Sequence, residues 1–138
     1  MAALSHGALT VDLPDDWGDR TTLMFTAPQG ADHGVVSLAV HRVEADTAQG
    51  VLKRQLEELK QVDEGLKVLS QGELKCGLGT GAYTEVTLVL AGVPVRQILG
   101  IVLRGGLAFR VTASAQAQRF DAVAARLWEI VKSIRVGS

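Results

Sequence analysis

Three apolar, β-prone runs follow one another between Ala82 and Ala115, separated only by glycine-bearing breaks. Residues 84–90 end at Ala91-Gly92, residues 93–103 end at Arg104-Gly105-Gly106, and residues 107–114 close the series. Glycine enters the left-handed backbone region without a Cβ clash, so this punctuation predicts a three-stranded antiparallel meander. In the middle strand one face carries Val95, Gln97, Leu99, Ile101 and Leu103, and the other Arg96, Ile98, Gly100 and Val102. A sheet with one wet face alternates apolar with polar residues. This strand is apolar on both sides, which predicts that one face lies on the domain's own helices and that something else covers the other.

The same patterning supplies the remaining elements. Residues 7–13 read as a first strand with Leu9, Val11 and Leu13 on one face. It ends in LPDDWGDRT, a turn whose Trp17 is expected to plug one end of the core. Residues 23–27 and 35–42 read as further strands joined by a polar loop over 28–34. Asp46 or Thr47 caps a helix running to about Val62, with Ala48, Val51, Leu52, Leu56, Leu59 and Val62 at helical spacing and Gly65 as its stop. Residues 66–74 form another strand, and KCGLGTG a loop into the meander. Phe120, Val123, Ala124, Leu127, Ile130, Val131 and Ile134 mark the stripe of a closing helix, with Trp128 on its flank. The expected order is β-β-β-α-β-β-β-β-α: an α+β fold, an antiparallel β-sheet with two helices packed on one face.

Composition narrows the function more than the fold. The chain of 138 residues makes one domain spanning 1–138, with 47% apolar and 21% charged residues. Fourteen basic side chains balance fifteen acidic ones, and no basic run exceeds two residues, so nucleic-acid binding is not expected. The first residues, MAALSHGALTVDLP, show no basic leader region, long apolar core or lipidation cysteine, so a cytoplasmic protein is expected. No apolar run approaches the ~20 residues that span a bilayer, which argues against direct membrane insertion.

Catalytic chemistry finds little purchase. His6, His33 and His41 lie far apart, and none stands at metal-ligand spacing with a cysteine or carboxylate. Asp15, Asp16 and Asp19 fit turn formation and lack the glycine and distal glutamate of a calcium loop. GLGTG is followed by a strand and by no Lys-Ser/Thr, whereas a phosphate cradle opens onto a helix. Cys76 stands alone, with no disulfide partner and no activating neighbour in the sequence. No G-x-S-x-G elbow is present. No catalytic residue, metal or cofactor is expected.

Binding is the better prospect. Gln97 interrupts the apolar series Val95, Leu99, Ile101; Ser37 sits between Val35 and Ala39; and Gln55 joins the apolar side of the first helix. Each is read either as an ordinary polar residue bonded to local backbone or as a placed hydrogen-bonding group in an apolar groove. Such a groove suits an apolar helix, because amide side chains meet its few polar groups without importing a charge.

Several short motifs carry a family resemblance: L-P-x-x-W-x-D-R-T (Leu13 to Thr21), S-L-A-V-x-R (Ser37 to Arg42), Q-L-x-x-L (Gln55 to Leu59), G-A-x-x-E (Gly81 to Glu85) and Val95-Arg96-Gln97, followed by Phe120, Ile130 and Ser133 in the last helix. Together they resemble the DcrB-like superfamily and, within it, the Eag-type chaperones of bacterial type VI secretion. The resemblance implies a PsbP-like α/β sandwich that forms a homodimer. It further implies a concave, sheet-lined surface that holds the N-terminal transmembrane helices of a secreted effector until it is loaded on the secretion spike, itself a further expected contact. Ser37, Gln55 and Gln97 match polar groove positions of that family, with Val95, Leu99 and Ile101 as the accompanying apolar surface. Two rivals stay open: a module that closes its second apolar face over a small apolar ligand or lipid, and a structural dimer that consumes that face by self-association.

Overall fold

The computed structural model describes residues 2–6, 9–13, 22–43 and 47–135, with side chains for the last two spans. Gly7, the 14–21 turn with Asp15, Asp16, Trp17 and Asp19, and Asp46 lie outside the described residues. Strand β1 (Ala2–His6) pairs antiparallel with β2 (Leu9–Leu13) in a hairpin that sets Leu4 opposite Val11. One strand was expected over 7–13; β1 is additional. Its sequence, AALSH, contains no β-branched or aromatic residue, so propensity gives it no strand signal, and pairing with β2 defines it.

The main sheet has six strands: β3 (Thr22–Thr26), β4 (Val35–Arg42), β5 (Lys67–Cys76), β6 (Gly79–Leu90), β7 (Val93–Arg104) and β8 (Leu107–Gln116). Their spatial order is β3-β4-β8-β7-β6-β5, and every neighbouring pair is antiparallel. The meander forms as the glycine breaks predict. Ala91-Gly92 (φ 50° and 80°) and Gly105-Gly106 (φ 59° and 78°) make two-residue turns with both central residues left-handed, the form that matches strand twist. The expected 75–81 loop is strand on both sides of Gly77-Leu78, since Cys76 pairs with Gly79. Gly81 is required inside β6, where a Cβ would collide with the Ile101 carbonyl oxygen of β7.

Helix α1 (Ala48–Val62) begins at Thr47, whose hydroxyl accepts the Gly50 N–H at 3.0 Å. It ends at Asp63 rather than at Gly65. The Asp63 carboxylate accepts the Gly65 N–H at 2.9 Å and the Val89 N–H at 2.8 Å, turning the chain and tying the helix end to β6. A single 3₁₀ turn, Ala31–His33, interrupts the β3–β4 connection, and α2 (Ala117–Ser133) follows β8 directly.

The class is α+β as expected, but the helices do not share a face. Helix α1 packs on β6 and β7, and α2 on β8, β7, β5 and β4. The α1 core joins Val51, Leu52, Leu66, Ala82, Val86, Leu88, Leu99 and Ile101. The α2 core joins Val36, Leu74, Ile98, Val102, Val111, Ala113, Phe120, Leu127 and Val131. Leu99 and Ile101 lie under one helix while Ile98 and Val102 lie under the other, and side chains alternate across a strand, so the sheet separates the two cores. The second apolar face of β7 is therefore covered by the chain itself.

Candidate functional site

Cross-strand register fixes what else shares the α1 face. Gln97 lies opposite Ser114, Leu99 opposite Thr112 and Ile101 opposite Arg110; on the next strand Ser37 lies opposite Thr112, Val35 opposite Ser114 and Ala39 opposite Arg110. Directly opposed residues of an antiparallel pair point to the same side. One face thus carries Val95, Gln97, Leu99 and Ile101 of β7, Arg110, Thr112 and Ser114 of β8, and Val35, Ser37 and Ala39 of β4, with Met24 beyond on β3.

Helix α1 roofs only part of this face. Leu99 (1% exposed) and Ile101 (0%) are buried beneath it and offer no surface, which corrects their expected place in a groove. Val95 and Gln97 at the roof's margin are half-buried, as are Ser37, Val35, Ala39, Arg110, Thr112 and Ser114 in the part that no described helix covers. Gln55 faces that part. The other edge of α1, with Gln49, Lys53, Leu56 and Lys60, lines a cavity of about 570 Å³ against β5 and β6. Helical spacing turns residues 48, 51, 55 and 59 toward β8 instead. The Gln55 Oε1 is buried and accepts no hydrogen bond.

The result is a trough bounded by α1 and by the edge strand β3, floored by small and hydroxyl-bearing side chains. Arg110, Thr112 and Ser114 belong to it and were missed in the sequence. Their signal was present: β8 alternates Val111, Ala113, Ala115 (buried) with Arg110, Thr112, Ser114 (half-buried), whereas β7 does not alternate. The change from a two-sided apolar strand to an alternating one marks where the α1 roof ends.

The opposite face holds a second concavity of about 500 Å³ between β3 and α2, lined by Phe25, Pro28, Val36, Val123, Leu127 and Ile130, with His33 and Arg126 as polar members. Elsewhere on that face Arg96 joins three parts of the fold. Its guanidinium meets Glu85 at 2.8 Å and Asp121 at 3.4 Å and lies 4.7 Å from the centre of the Phe120 ring. Two of the motif residues are therefore partners that fasten β6 and β7 to the start of α2. Tyr83 and Trp128 meet edge to face at 4.9 Å on the same side. Half-buried Cys76 packs against the α2 core, and among the described residues no three of His, Cys, Asp and Glu gather as metal ligands. No helix among them is long and apolar enough to cross a membrane.

Solved structures share this architecture over almost the whole chain. A Pseudomonas aeruginosa protein of unknown function, PA94, superposes with a TM-score of 0.80 at 12% identity, covering 100% of this chain and 98% of its own. The cyanobacterial PsbP protein CyanoP from Synechocystis sp. PCC 6803 gives 0.60 at 9% identity, with 92% and 99% covered. LpqN of Mycobacterium tuberculosis, involved in cell envelope biogenesis, gives 0.57 at 14% identity, with 95% and 86% covered. At these identities the likeness is one of fold, and it includes the PsbP-like architecture. No curated protein sequence matches the chain. The DcrB family model matches residues 9–133, nearly the whole chain and every strand of the main sheet; the protein belongs to the DcrB family.

Proposed function

We propose that this DcrB-family chain is a non-enzymatic cytoplasmic chaperone of the Eag type, which works as a homodimer and shields the N-terminal transmembrane helices of a type VI secretion effector before loading on the spike. The observation that carries this reading is the width and position of the trough. Helix α1 is centred over β6 and β7, and β8 and β4 lie two strands further along. At ~4.8 Å per strand that offset is about 10 Å, the ordinary distance between two packed helices. A second helix laid beside α1 would rest on Ala39, Ser37, Thr112 and Ser114, and small residues of this kind let a helix backbone approach closely.

The apolar area comes from Val35, Ala39, Val95 and Met24 rather than from the buried Leu99 and Ile101. Removing several hundred Å² of client surface from water at ~25 cal/mol per Å² gives the driving force. Gln97 and Ser37 supply the polar contacts that set register, and the buried Gln55 Oε1, which accepts no hydrogen bond, joins them once its side chain turns toward the client. The edge strand β3 exposes Met24 (65%) and Phe25 (62%), as expected of an edge available to a second subunit.

The test is detergent-free affinity capture of the tagged protein from its native lysate, with mass spectrometry and sedimentation of the eluate. One dominant large protein with apolar N-terminal helices, bound to a dimer, is expected. Gln97→Ala should lower its yield several-fold while leaving the thermal midpoint of the chaperone within a few degrees. Undiminished client yield from the variant, or recovery of the bare monomer, would count against the reading.

A further inference from the structure

Arg110 stands at one end of the trough floor, on its central strand β8, opposite Ala39 on β4 and Ile101 on β7. The described residues include two half-buried arginines, and their surroundings differ sharply. Arg96 has Glu85 and Asp121 within ion-pair distance. Among the described residues, Arg110 makes no ion pair and no side-chain hydrogen bond. The cause lies in the local sequence: β3, β4 and β8 read TLMFT, VVSLAVHR and LAFRVTASAQ and contain no aspartate or glutamate. A guanidinium is thus presented on a floor of methyl, hydroxyl and amide groups.

Covering such a group with a wholly apolar helix strips its water and returns nothing, which is costly. Covering it with a helix that carries one carboxylate at the same level replaces the water by a forked, charge-assisted pair. We propose that Arg110 selects the client: the helix that docks beside α1 bears a single Asp or Glu on its trough-facing side, and that carboxylate pairs with Arg110. This rests on the helix-docking reading above and adds the chemistry of the occupant. The same guanidinium rejects apolar segments that lack the acid, so it discriminates by penalty as well as by attraction.

The test uses two fluorescent 20-residue Leu/Ala peptides flanked by lysine pairs, identical except for Glu or Gln at the centre, titrated into the full chain at low salt and followed by anisotropy. The wild-type protein should bind the Glu peptide at least tenfold more tightly. Arg110→Met keeps an apolar stem and removes the charge. It should bring the two affinities within about twofold and bind the Gln peptide better than wild type does. Equal binding of both peptides by wild type overturns acid selection while leaving helix docking in place. Binding of neither overturns both readings, and a Glu preference that survives in Arg110→Met overturns the assignment to Arg110. Should Arg110→Met fail to fold by circular dichroism, Arg110→Lys decides: it keeps the charge but loses the fork, so a preference of only a few-fold is expected and an undiminished tenfold preference overturns the proposal.

Discussion

Arg96 and Glu85 show how much a single contact can carry. Both side chains are mostly removed from water, at 28% and 11% exposure, and they bridge two strands and a helix start. Removing the arginine leaves the Glu85 carboxylate, among the described residues, with the Ser70 hydroxyl at 3.5 Å as its one remaining side-chain partner. Losing one partner of a fully buried pair costs about 3–5 kcal/mol, and partial exposure reduces that. Arg96→Ala is expected to lose about 2 kcal/mol, seen as a lower urea midpoint at unchanged slope. A midpoint equal to that of wild type would assign the pair no structural weight. Both residues were visible in the sequence as members of separate motifs. Their partnership follows once the turn is placed at Ala91-Gly92, because that register sets Glu85 opposite Ile98, and Arg96, two residues along β7, shares its face. Arg110 was legible in another way, as one member of the alternation Arg110, Thr112, Ser114 that the adjacent β7 lacks.

Among the elements, the meander and both helices followed from periodicity and glycine placement, since hairpins are local and their turns state their own geometry. The faces of the helices did not follow. Two-sided apolarity in β7 says that both faces are covered and is silent on what covers them. Strands β4 and β5 run parallel in a sheet whose neighbours are all antiparallel, so α1 is a crossover connection passing over one face. The handedness preference that assigns a crossover helix to a face applies only after strand order is known, and the order β3-β4-β8-β7-β6-β5 depends on long-range pairing that no local pattern encodes. The consequence for Leu99 and Ile101 is concrete. As buried floor beneath α1 they are stability residues: Leu99→Ala is expected to cost about 2–5 kcal/mol by denaturant titration. Gln97→Ala, at the margin of the roof, should stay within about 1 kcal/mol of wild type. Loss of client binding by Leu99→Ala at full stability would return that residue to the groove.

For the molecule as a whole, the sheet acts as a partition wall between two interiors. Each has its own helix, its own buried cluster and its own side of β7, and among the described residues the two clusters share no member. Perturbations separated in this way add, whereas residues within one cluster couple. Leu52→Ala and Leu127→Ala, one from each compartment, should therefore combine to within about 0.5 kcal/mol of the sum of their separate effects. Leu52→Ala with Val86→Ala, both inside the α1 compartment, should depart from additivity by more than that; equal additivity in the two pairs would deny the partition. In evolutionary terms such a wall decouples two selective pressures. On the proposed reading, the trough beside α1 is free to drift in shape and charge with its client, while the Phe120–Leu127–Val131 compartment keeps its own packing. A scaffold divided in this way tolerates change of sequence, and structures that share this fold at 9–14% identity are in keeping with it.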